Sequence, residues 1–117
     1  MPNNSSQRFE FISDLTGFRA PNARVVRIGG RLRRKQDLLR ALAAGLNLPK
    51  YFGHNWDALE ECLRDLSWLG DESTIVLLHE QLPLADEDQR KTYIEILRNA
   101  LQAQKGRLRI IFPRADQ

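Results

Sequence analysis

Apolar residues fall along this chain in blocks of two periods, and the two kinds of block alternate. Val25, Val26 and Ile28 form a β-branched run after a Pro21-Asn22 turn, and Gly29-Gly30 ends it, which predicts a first strand. From Gln36 to Leu46 the residues Leu38, Leu39, Leu42 and Leu46 recur at helical spacing, with Arg40 turned to water. Asn47-Leu48-Pro49 stops this helix, because proline disfavours the α conformation in the residue before it. A second helix is predicted from a cap at Asn55 through Ser67, with Trp56, Leu59, Cys62, Leu63 and Leu66 on one side and nearly all the charge on the other. Thr74 to Leu78 is an unbroken apolar run, which suits a strand buried on both faces and therefore internal to a sheet. Asp86-Glu87-Asp88 suits the positive end of a third helix whose core face is Tyr93, Ile94, Leu97, Ala100 and Leu101, closed by Lys105-Gly106. Leu108, Ile110, Ile111 and Phe112 make a last strand before Pro113.

The order strand, two helices, strand, helix, strand predicts an α/β fold, since helices between strands allow the strands to run parallel. The expectation is a three-stranded parallel sheet packed with helices, its strands near residues 24 to 28, 74 to 79 and 107 to 112. Residues 23–117 are read as the domain and residues 1–22 as an N-terminal extension. The first seven residues of that extension are polar without period and are expected to be disordered, whereas Phe9, Phe11, Leu15 and Phe18 suggest an arm that packs on the rest.

Composition narrows the function classes. The 117 residues and 42% hydrophobic content suit one core. No run approaches the roughly 20 apolar residues of a membrane span, and the first ten residues lack the apolar stretch of a secretory signal, so the expectation is a cytoplasmic protein with no membrane partner. The single cysteine, Cys62, has no internal disulfide partner and shares a stripe with Leu59, Leu63 and Leu66, which predicts core filling. His54 and His79 are too scattered for a metal-ligand cluster, and Gly29-Gly30 lacks the spacing of a phosphate loop, so no metal and no cofactor are expected.

Placement of charge says more than the net +3. Arg24, Arg27, Arg31, Arg33, Arg34, Lys35 and Arg40 are opposed only by Asp37 between residues 24 and 40. Asp57, Glu60, Glu61, Asp65, Asp71 and Glu72 are opposed only by Arg64 between residues 54 and 72. The chain carries a basic stretch and an acidic one.

The acidic stretch follows an aromatic loop: Leu48-Pro49, Tyr51-Phe52-Gly53, Asn55, Asp57-Ala58-Leu59, Cys62-Leu63. This ordered run resembles the barstar family of small ribonuclease inhibitors, and the order of elements agrees from about residue 24 to 112. The resemblance implies a barstar-like α/β fold, no enzymatic activity, and a protein partner that is a basic, extracellular-type ribonuclease, with the inhibitor a monomer when free. Carried over by position, Tyr51, Gly53, Asn55, Asp57 and Glu61 match residues that plug the nuclease active site, Glu61 standing where the family usually has aspartate. Two departures from the family pattern are that Glu60 stands where an aromatic is usual and that Leu101, Gln102, Gln104 and Lys105 occupy a region of the last helix that carries acids elsewhere.

The residues support the same logic independently. A ribonuclease that holds RNA phosphates needs arginine and lysine in its cleft, and a fixed carboxylate can occupy that position. Asp57, Glu61 and Asp65 are each one helical turn apart and line one stripe, bordered by Glu60. The plainer reading is a solvated helix face with a Glu60 and Arg64 pair at i, i+4, in which Tyr51, Phe52, Trp56 and Trp68 only pack. Two further readings compete. One is a nucleic-acid-binding module using the arginines of residues 24 to 40, the less favoured partner because no aromatics are interleaved with them. The other is an enzyme, disfavoured because all the candidate carboxylates lie on one helical face and His54 has no nucleophile beside it.

Overall fold

A computed structural model describes residues 8–29, 32–48, 54–66, 74–104 and 106–114. Its elements are β1 (Glu10–Ile12), β2 (Ala23–Ile28), α1 (Lys35–Leu46), α2 (Trp56–Asp65), β3 (Thr74–His79), α3 (Glu87–Ala103) and β4 (Leu108–Pro113). The sheet has the order β1-β4-β3-β2 and every neighbouring pair is parallel. The α/β class and the parallel sheet therefore stand. β3 is internal, as its unbroken apolar run predicts, and Ile75, Val76, Leu77 and Leu78 are all fully buried.

The expected strand count is corrected from three to four. The added strand comes from the N-terminal arm, which pairs Glu10 to Ile111, Phe11 to Phe112 and Ile12 to Pro113. Two forces fix it there. Phe9 meets Phe112 edge-on at 5.4 Å and Phe11 stacks on the same ring at 6.1 Å. Arg109 grips the Glu10 carboxylate with two nitrogens, Nε at 2.9 Å and Nη2 at 2.7 Å. The polar start, residues 1–7, lies outside the described residues.

The sheet separates two clusters of unequal size. Val26, Ile28, Ile75, Leu77, Leu108, Ile110 and Phe112 meet the apolar faces of all three helices. On the other face Val76, Leu78 and Ile111 are covered by Leu15, Phe18 and Ala20, from the connection between β1 and β2. That connection turns at Asp14, whose carboxylate accepts from the backbone N–H and the hydroxyl of Thr16.

Two helix ends differ from expectation by a residue or two. α2 stops at Asp65, because Leu66 is fully buried and adopts a left-handed φ of 50°, from which its N–H returns to the Cys62 carbonyl; Ser67 lies outside the described residues. α3 stops at Ala103 with Gln104 as its cap, and Gly106 then takes φ 77°, a value only glycine adopts without strain. Lys105, the other half of the expected stop, lies outside the described residues.

Candidate functional site

α2 is fixed along its length. At its start the Asn55 side chain accepts the Ala58 N–H at 2.8 Å, as the capping expectation required. Its inner face buries Leu59, Cys62 and Leu63. Toward α3 the helix is fastened at three levels. The Trp56 ring stacks near Tyr93 with centroids 6.1 Å apart, Asn99 Nδ2 donates to Glu60 Oε2 at 3.0 Å, and Gln104 Nε2 donates to the Leu63 carbonyl at 3.0 Å. Lys35 of α1 sits over the other side of this assembly, its Nζ 5.2 Å from the Trp56 ring.

The carboxylates divide on this scaffold. Asp57, Glu61 and Asp65 are exposed, with Asn55 exposed at the head of the same helix. Successive turns place the three acids on the side of α2 away from Leu59 and Leu63. Glu60 behaves differently: it is half-buried on the flank turned to α3 and its oxygen is held by Asn99. The Glu60 and Arg64 pair of the plainer reading does not form among the described residues, where the one ion pair is Arg109 with Glu10. Tyr51 and Gly53 of the aromatic loop, with Phe52 and Trp68, lie outside the described residues.

Chemically the stripe is an array of acceptors, and the one thiol near it among the described residues is that of Cys62. Burial first, then the charges of Glu61 and Asp65, pushes the Cys62 thiol above its ordinary range, away from a nucleophilic thiolate. His54 is exposed with a left-handed φ of 55°. No group of three or more His, Cys, Asp or Glu side chains suited to a metal ion occurs among the described residues. No helix among them is long and apolar enough to cross a membrane.

His79, the other histidine, is fully buried at the end of β3. Its Nδ1 lies 3.0 Å from the Ile111 carbonyl and its Nε2 2.7 Å from the Tyr93 hydroxyl. A carbonyl only accepts, so Nδ1 carries the proton and the tyrosine donates to Nε2, which satisfies a neutral imidazole completely. Burial drives the His79 pKa down to about 4 and raises that of Tyr93. The pair is a buried hinge pin between β3, β4 and α3.

Sequence reasoning does not reach Asn99 and Gln104, the two α3 amides that hold α2. The available signal was two amides at the boundary of an apolar stripe, which spacing alone cannot assign to a partner 39 or 41 residues away.

A family model described as Barstar (barnase inhibitor) matches residues 23–113. Comparison with curated proteins yields no match.

Proposed function

This chain belongs to the Barstar (barnase inhibitor) family, and from that premise we propose that it is a cytoplasmic inhibitor of a basic ribonuclease, whose active site it blocks with the acidic face of α2. The observation that carries this reading is the exposure of Asp57, Glu61 and Asp65 on one outward stripe of a helix capped by Asn55 and fastened to α3. A carboxylate held on a rigid helix meets an arginine-lined cleft without first losing conformational freedom. Glu61, midway along the stripe, is the central phosphate mimic. Tyr51 and Gly53 flank it from the loop, Asn55 and Asp57 bind at the head of the helix, Asp65 at its tail, and Glu60 borders the contact. The protein acts by occupancy and is not an enzyme, because the stripe's acids converge on no cleft of their own. A lone, buried cysteine suits a reducing cytoplasm.

The test is inhibition of a barnase-type ribonuclease by Glu61→Ala. Truncation of a central hot-spot residue costs about 2 kcal/mol or more, roughly a thirtyfold rise in the inhibition constant. Reversing Arg33 and Arg34 to Glu should change it far less. Inhibition that survives Glu61→Ala yet is lost on the arginine reversals overturns the proposed surface.

A further inference from the structure

Arginines in this protein divide into those the fold uses and those it does not. Arg109 is paired with Glu10, Arg90 donates to the carbonyls of Pro83 and Leu84, and Arg98 lies over the Phe9 ring at 5.5 Å. Arg24, Arg27, Arg33, Arg34 and Arg40 are all exposed, and among the described residues none of them joins an ion pair. All five belong to the segment that runs from β2 into α1. Arg24 and Arg27 stand on β2, the open edge of the sheet. Arg33 and Arg34 follow where the chain passes beyond β2, the Arg33 carbonyl accepting from Ala85 N–H at 3.0 Å. Arg40 lies on α1, which is pressed so closely on β2 that a Cβ at Gly45 would collide with Val26 Cγ1. Arg33 and Arg34 also oppose the dipole of α1, so their charge works against the fold that carries it.

From this unpaired border we infer that the β2 edge and adjoining α1 form a second binding surface, one that takes the phosphate backbone of a nucleic acid, separate from the acidic face of α2. Guanidinium groups match phosphate oxygens with two parallel hydrogen bonds, which favours arginine where phosphate is the ligand. The described residues of the stretch 23–40 expose no large hydrophobic side chain. An interface with an acidic protein needs an apolar anchor, and a base-reading single-strand site needs aromatic platforms. The described residues of this stretch offer no aromatic platform, and the exposed apolar side chain near them is the lone Leu82, on the loop whose Leu84 N–H meets the Leu32 carbonyl, so the arginines contact the backbone, independent of sequence and steeply dependent on salt. Arg24 and Arg27, three residues apart on an extended strand, project to opposite faces of the β2 edge and so reach phosphates from either side of it.

The experiment is fluorescence anisotropy of the full chain with a short labelled RNA and with DNA of the same sequence, at about 50 and 200 mM salt. The expected result is binding of both at low salt that weakens by more than about tenfold at the higher salt. Arg33→Glu with Arg34→Glu should weaken low-salt binding at least about tenfold and flatten the salt slope by about 0.7 for each arginine lost on a single strand. The milder pair Arg24→Gln with Arg27→Gln, checked by circular dichroism for an unchanged fold, should lower affinity in the same direction. Glu61→Ala should leave nucleic-acid binding intact or slightly stronger. Absence of binding at low salt, affinity unaltered by both arginine pairs, or equal binding of polyglutamate overturns the inference.

Discussion

α1 and α2 are consecutive helices of similar length, built by opposite rules. α2 begins with a capping Asn55 and an acid, Asp57, in its first turn, and carries Arg64 in its last. Each feature agrees with the direction of the helix dipole. α3 starts by the same rule, with Asp86 as a capping side chain and Glu87 and Asp88 behind it, and ends without a basic residue in its last turn. α1 begins at Arg34, which makes no side-chain cap, between Arg33 and Lys35, with Asp37 the one acid of its first turn and no basic residue in its last. What keeps α1 folded is burial, since Leu38, Leu39, Leu42 and Leu46 are all fully enclosed. A helix held by its inner face has termini and an outer face free for charges that local preference would reject. A helix whose ends also satisfy local preference holds its outer face still. The protein thus has one rigid acidic face and one tolerant basic border.

The largest effect that separates inner from outer faces is on α2 itself. Leu63→Ala should cost about 2–5 kcal/mol of stability, measured by denaturant unfolding, because the site is fully buried between sheet and α3. Glu61→Ala, on the opposite side of the same helix, should change stability by no more than about 0.5 kcal/mol. Comparable losses for both would mean the acidic face is structural.

Next in size is a pH effect that neither charged face provides. His79 is neutral when folded, with a pKa of about 4 against an ordinary 6.5. As pH falls from 6.5 the unfolded chain takes up a proton that the folded chain refuses, so stability is lost through that window, by about 3 kcal/mol at its lower end. Unfolding at successive pH values should show this slope above pH 4 in the wild type and not in His79→Gln. A slope unchanged by the substitution would assign it to carboxylates instead.

The smallest effect compares the two helix starts directly. Asn55→Ala should destabilise by about 1 kcal/mol, whereas Arg34→Asp should stabilise by a similar amount, since it supplies α1 with the cap it lacks. If Arg34→Asp destabilises, the arginine has a structural role and the contrast between the helices fails.

The elements legible in the sequence were those whose partner is implied by their own period. The stripe of α2, the internal position of β3 and the buried side of Cys62 follow from spacing, because an apolar stripe has to find a core. β1 was not legible. Three residues, Glu10–Ile12, carry no measurable period, and what places them is a ring and a guanidinium supplied by β4. Within the candidate site the exposed acids were legible and the role of Glu60 was not. By helical spacing it borders the stripe, yet it turns to α3, where the amide of Asn99 offers it a hydrogen bond. That contact depends on how α2 and α3 pack, which no local pattern encodes.

The grip of Arg109 on Glu10 spans 99 residues, nearly the whole chain. On a ribosome Glu10 emerges well before its partner strand, so β1 and the segment that covers the second sheet face wait unpaired until β4 has followed. Closing so long a loop brings no return until β3 and β4 already lie together. β1 is therefore placed only after strands that are made later than it. Once β3 and β4 have paired, and until that segment docks, Val76, Leu78 and Ile111 form an uncovered apolar strip beside an open strand edge, the period in which the chain is most exposed to joining its neighbours instead of itself.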